Sequence, residues 1–176
     1  MSDAGTPSRA GRSGAVRLTA ILSLGLVLNQ IGLMAFPAVL PTLVPLWGLT
    51  ETEAGWIGGI YFAGYAAAVP FMSGLTDRID GRRVWAVASV IGAVASLAFV
   101  FAEGFWAGLA ARFLSGVGLA GVHMPGLKLL AERTAGPAQA RATGIYTAAY
   151  AVGSGGSFVV AGLVAAAWGW EWAFVA

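Results

Sequence analysis

Long apolar stretches, each about the length of a bilayer crossing, alternate with short polar ones along this 176-residue chain. The apolar runs cover roughly residues 17–40, 54–75, 84–102, 105–130 and 144–168, and another begins at Trp172. A helix needs about 20 apolar residues to cross the hydrocarbon core, whereas a membrane strand alternates over about ten. The pattern predicts an all-α membrane protein, a bundle of five complete transmembrane helices plus the start of a sixth. Residues 1–16 are small, polar and rich in Gly and Ser, and read as a disordered tail. The run from Leu18 to Leu40 outlasts a signal-peptide core of about 7–15 residues, so it is read as a retained span.

Composition narrows the functional classes. The chain is 58% hydrophobic and 10% charged, where soluble domains carry roughly 25% charged residues. That excludes an ordinary soluble enzyme and a disordered chain. A net charge of +2 is too small for an electrostatic nucleic-acid surface. With no Cys and one His, neither a disulfide framework nor a zinc site is expected, and nothing calls for a cofactor.

The placement of charge orients the chain. Arg9, Arg12 and Arg17 precede the first span; Arg78, Arg82 and Arg83 follow the second; Lys128, Arg133 and Arg141 lie at or after the end of the fourth. Nine of the ten basic residues thus share one side, and the tenth, Arg112, lies within a span. The opposite loops carry Glu51, Glu53, Glu103 and Glu171. The positive-inside rule makes the N-terminus and the basic loops cytoplasmic. Trp47, Trp56, Trp106, Trp168, Trp170 and Trp172 gather at the opposite ends, as an interfacial aromatic belt would. Most of the 26 glycines lie inside spans. Gly108, Arg112, Gly116 and Ala120 recur every four residues, with Gly118 beside them, a spacing that lets helix backbones approach closely.

Between the second and third spans runs Ser73-Gly-Leu-Thr-Asp77-Arg78-Ile-Asp80-Gly81-Arg82-Arg83. This loop resembles the cytoplasmic signature of the major facilitator superfamily, Gly-x-Leu-Ala-Asp-Arg-x-Gly-Arg-Arg. Arg112-Phe-Leu-Ser-Gly116-Val-Gly118 is similar to that superfamily's second motif, and the likeness covers residues 17–176. Ser73 and Asp80 stand where the first motif has glycines, and Gly153-Ser-Gly-Gly156 lacks the Gly-Pro pair of many drug antiporters. The resemblance implies a facilitator-type helical bundle in the bacterial inner membrane. Its usual chain has two six-helix halves, about 12 spans, so residues 17–176 are expected to be the N-terminal half, with the second half absent. The chain would then be a fragment or pair with a second copy, and would not transport alone. The resemblance also implies a conformational latch, with Asp77 capping or pairing with a helix end and Arg78, Gly81, Arg82 and Arg83 assisting. The plainer reading is a solvated loop whose charges only set topology.

Arg112 lies about two turns inside the fourth span, where an ionised side chain costs about 2.5–3.5 kcal/mol. It either attracts an anionic solute or bonds to backbone carbonyls of neighbouring helices, and the cost of burial favours the functional role. His123 follows by 11 residues, on the same helical face. It is either a proton relay or, the preferred reading, a neutral hydrogen-bonded His near Pro125. Lys128 is read as a snorkelling end charge. Asn29 and Gln30 sit mid-span and either touch solute or bond across helices. Tyr61 and Tyr65, and Tyr146, Tyr150, Ser154 and Ser157, make polar stripes on the second and fifth spans. Together with Arg112 these predict a common wet cavity near the midplane.

The expected function is secondary active or facilitated transport of a small polar or anionic solute by alternating access, as a permease or symporter, with a proton as the candidate coupling ion. The alternatives are drug or metabolite efflux by proton antiport, or a non-transporting membrane assembly subunit. An intramembrane serine protease would need Ser115 or Ser154 with His123, and no nucleophile turn accompanies either serine.

Overall fold

The computed structural model describes residues 9–175, all of them helical or in short connections. The helices are α1 (Arg9–Trp47), α2 (Glu51–Leu75), α3 (Gly81–Val100), α4 (Phe105–Arg133) and α5 (Gly136–Trp168). A short 3-10 helix, Trp170–Phe174, follows. The part of α1 from Gly14 onward, α3, α4 and α5 are each long and apolar enough to cross a membrane. At 25 residues α2 also has the length of a span.

Two expectations are corrected by the backbone. Residues 1–8 of the predicted tail lie outside the described residues, but Arg9 to Val16 already belong to α1. Small residues there do not prevent the apolar helix from propagating backwards. The predicted sixth helix does not start as an α-helix at Trp172. Gly169, at φ 105°, breaks α5, and the chain turns into the 3-10 helix from Trp170.

The connections are short because each helix start is built into the sequence. Thr50 and Glu53 form a reciprocal capping box on α2: the Glu53 N–H donates to Thr50 Oγ1 at 3.2 Å, and the Thr50 N–H donates to Glu53 Oε2 at 2.9 Å. The Thr50 backbone N–H and hydroxyl hold the Glu53 carboxyl below its ordinary range. Asp80 caps α3 by accepting from the Arg82 N–H at 2.9 Å. That accounts for an Asp at this position of the signature loop, where a glycine is expected.

α1 packs along α5, and α4 packs between α2 and α3, with a lesser contact back to α1. Buried side chains fall into two clusters stacked along the helices. The one nearer the basic loops holds Leu22, Leu26, Tyr61, Val122, Leu130 and Tyr146. The other holds Phe36, Val39, Leu43, Ile57, Phe99 and Phe174. Val87, Val90 and Val94 instead project outward from α3, as expected where lipid is the solvent.

Close approach of α4 depends on its missing side chains. A Cβ on Gly116 would fall on the backbone carbonyl of Tyr61 in α2, and one on Gly118 would lie 2.7 Å from the Gly92 Cα in α3. A Cβ on Gly108 would meet the Trp47 ring at 2.8 Å. α4 is thus held against two helices at once, with backbone facing backbone.

Gly116→Ala is expected to destabilise the bundle by about 1–3 kcal/mol through overpacking. Gly155→Ala, where a Cβ meets nothing within 4 Å, should be neutral or stabilising. Thermal unfolding of both variants in detergent checks this; equal midpoints would contradict it. Because the folded-state Glu53 carboxyl is depressed, the cap contributes fully above the ordinary carboxyl range and loses its contribution as pH falls through the depressed value. Amide exchange at the start of α2 should therefore accelerate in acid, and Glu53→Gln should remove that pH dependence.

Candidate functional site

Proline creates the first polar feature inside the bundle. In an α-helix the N–H of residue 37 would bond to the carbonyl of residue 33, but Pro37 has no N–H. The Leu33 carbonyl is therefore left without its helical partner, within a span where no water replaces it. Arg112 fills the vacancy. Its two terminal nitrogens donate to the Gly32 and Leu33 carbonyls at 2.8 and 3.0 Å. The guanidinium lies 4.5 Å from the Tyr61 ring centroid and 5.6 Å from that of Phe36, and the residue is 2% exposed. A planar fork is suited to this double contact and a Lys ammonium is not. Of the two roles open to Arg112 on sequence grounds, this geometry is that of the carbonyl-bonded one. Nε has no partner among the described residues.

α5 is tied to the same stretch of α1. Gln30 Nε2 donates to the Tyr150 carbonyl at 3.3 Å, and the Met34 N–H donates to Ser157 Oγ at 3.2 Å. One turn and a half of α1, from Gln30 to Met34, thus receives polar contacts from both α4 and α5. Gln30 is fully buried, and its Oε1 lacks a partner among the described residues.

Further along α4, His123 sits among tyrosines from two other helices. Its ring centroid is 6.5 Å from Tyr65, 5.9 Å from Tyr146 in a stacked arrangement and 4.8 Å from Tyr150 edge-on. Tyr146 is fixed, its hydroxyl donating to the Val122 carbonyl at 3.1 Å. Tyr65, His123 and Tyr150 are half-buried. The buried Nδ1 of His123 has no hydrogen-bond partner among the described residues. Nor does it meet a serine: the Ser115 hydroxyl donates to the Ala111 carbonyl instead.

The predicted common cavity divides. Along one seam, where the α1–α5 pair faces the α2–α4 pair, Gln30 bonds to α5 and His123 gathers Tyr65, Tyr146 and Tyr150, while Arg112 crosses to α1 about three turns away on α4. Asn29 faces elsewhere, into a groove of about 450 Å³ with Gly32, Ser89, Gly92, Ser96 and Ser115. Consecutive helical residues point about 100° apart, so two neighbouring amides serve different faces. Tyr61 lies between, against Arg112 and bordering that groove.

At the basic-loop end, Asp77 pairs with Lys128 of α4, whose Nζ also reaches Thr76 Oγ1 at 3.2 Å. This is the one ion pair among the described residues, and it makes Lys128 more than an end charge. Arg78 and Gly81 border the surrounding cavity of about 350 Å³ with Asp77, Asp80, Lys128 and Glu132. The structure shows no ion pair for Arg78, Arg82 or Arg83 among the described residues. Sequence reasoning missed Lys128 as the partner of Asp77, and missed Leu33 as the acceptor for Arg112. The second was legible from Pro37 and the four-residue rule.

Arg112→Leu leaves the Leu33 carbonyl unpaired, at an expected cost of about 1–3 kcal/mol. Pro37→Ala restores an N–H that can take that carbonyl. In the Pro37→Ala background the cost of Arg112→Leu should therefore shrink by about 1 kcal/mol, measured as a double-mutant cycle in detergent unfolding. Strict additivity would contradict the pairing.

Sequence comparisons agree with this architecture. The sequence profile of the Major Facilitator Superfamily matches residues 22–176. The niacin transporter NiaP of Acinetobacter baylyi is 36% identical over 114 residues, covering 64% of this chain and 26% of that protein. The uncharacterized MFS-type transporter YcaD of Salmonella arizonae is 34% identical over 104 residues, covering 57% of this chain and 26% of that protein. The matched region thus spans about a quarter of each relative's length. With its profile match over nearly the whole chain and its all-helical bundle, the chain belongs to the Major Facilitator Superfamily, a family of multi-pass membrane transporters.

Proposed function

We propose that this chain forms the N-terminal bundle of a secondary transporter that moves a small polar or anionic solute by alternating access. The observation that carries the reading is the seam itself. Four helices place Arg112, His123, Gln30, Tyr65 and Tyr150 along it inside a membrane-spanning bundle, where polar groups are costly unless they are paired or serve a wet path. Among the chain's acidic residues, none lies within the apolar spans, so the seam has a fixed positive charge at Arg112 and no fixed negative one. That balance favours an anion over a cation. A relative named for niacin, a pyridine carboxylic acid, supports a small organic anion as the solute.

A second bundle completes the path, supplied by further chain or by a second copy. Alone, the seam would present unpaired polar groups to lipid. The N-terminus and basic loops face the cytoplasm of the bacterial inner membrane, in keeping with the positive-inside rule. Asp77 and Lys128 act at the cytoplasmic end as part of the latch, with Asp80 fixing the start of α3.

The test is uptake of labelled nicotinate, benzoate, nitrate and cyanate by cells expressing the native gene. Accumulation of at least one of these anions above vector control is expected. Arg112→Ala should reduce it about tenfold or more, because it removes both the fixed positive charge of the seam and the tie from α4 to the Gly32 and Leu33 carbonyls. No uptake of any of the four, or uptake unchanged by Arg112→Ala, would overturn the assignment.

A further inference from the structure

We propose that Tyr65, His123 and Tyr150 form a stacking slot for a planar aromatic monocarboxylate. The inference rests on the transport reading and assigns the solute's ring to particular side chains. Three helices each contribute one half-buried ring: α2 gives Tyr65, α4 His123 and α5 Tyr150. The centroids of Tyr65 and Tyr150 lie 6.5 and 4.8 Å from that of His123, the range over which aromatic faces and edges attract. A flat ring laid against the exposed part of this aromatic surface adds contacts of the same kind, whereas a puckered ring of equal size cannot approach as closely.

The hydrogen-bonding state of the three residues supports a ligand. Tyr146, beside them on α5, is spent on the Val122 carbonyl. The hydroxyls of Tyr65 and Tyr150 have no hydrogen-bond partner among the described residues, and neither does the buried Nδ1 of His123. Phenols and imidazole inside a span that bond to nothing in the protein are donors available to a solute carboxylate. Aromatic cages also attract organic cations. Here no acidic side chain lies within the spans to balance a cation, and the Arg112 charge on the same helix opposes one. The slot therefore suits a ring that carries negative charge.

His123 is the only histidine in the chain, so its imidazole is a unique reporter. The chain in lipid nanodiscs is titrated with benzoate, cyclohexanecarboxylate and benzyltrimethylammonium while the labelled imidazole is followed by NMR. Benzoate is expected to shift the His123 resonance saturably and to bind about tenfold more tightly than cyclohexanecarboxylate, the difference being ring stacking. Tyr65→Phe and Tyr150→Phe keep the rings and should weaken benzoate binding while preserving that discrimination. Tyr150→Leu should abolish the discrimination; should Tyr150→Leu fail to fold, the two Phe variants carry the test.

Equal affinity for benzoate and cyclohexanecarboxylate, tighter binding of benzyltrimethylammonium, or benzoate binding that leaves the His123 resonance unmoved would each overturn the slot. These outcomes are separate from the uptake experiment. Transport of nitrate or cyanate with no ring discrimination would keep the transporter and remove the slot.

Discussion

A single carbonyl, that of Leu33, organises the interior of this bundle. Pro37 removes its helical partner, and no water is available at that depth to replace it. Arg112 reaches across from α4 to supply two hydrogen bonds, with Tyr61 and Phe36 against its guanidinium. The arrangement settles two costs together. A buried cation gains acceptors and aromatic faces, and an orphaned acceptor gains a donor. It also fixes where α1, which otherwise packs mainly on α5, meets the α2–α3–α4 layer.

The remainder of the packing is arranged around that junction. Gly116 and Gly118 bring the α4 backbone onto α2 and α3, so that Arg112 projects from a helix with little freedom to shift sideways. The two apolar clusters lie on either side of the junction, Tyr61 belonging to one and Phe36 to the other. Gln30 and Met34 extend the polar contacts to α5. The α2–α3–α4 layer and the α1–α5 pair are joined by these hydrogen bonds and by both apolar clusters, each of which draws side chains from all five helices. The seam between them is where the half-buried aromatic residues collect.

The sequence disclosed what depends on local composition. Span length, helical class, the sidedness of Arg and Lys and the signature loop all follow from residues read in order, and the observed helices differ from the expected ones mainly at their ends. Those ends are decided by packing and capping: α1 runs past residue 40 to Trp47 because its proline-containing segment stays helical against Phe99 and Trp170. What was hidden depends on direction around a helix axis combined with neighbours far away in sequence. Asn29 and Gln30 looked equivalent and face different sides. Lys128 looked like a snorkelling charge because its partner, Asp77, is 51 residues away on another element. Arg112 looked exposed to solute because a backbone acceptor leaves no mark in composition, although Pro37 marks that acceptor four residues back.

If solute passes through this bundle, the seam between the α1–α5 pair and the α2–α4 pair is a water-accessible path, whereas the valine face of α3 meets lipid. The chain contains no cysteine, so single cysteines can be introduced without background labelling. Tyr65→Cys and Tyr150→Cys on the seam, with Val87→Cys and Val94→Cys on α3, should be challenged with a membrane-impermeant thiol reagent in oriented vesicles. Labelling of the first two and protection of the second two is the expected result. Protection of both seam positions, or labelling of the α3 positions instead, would contradict it.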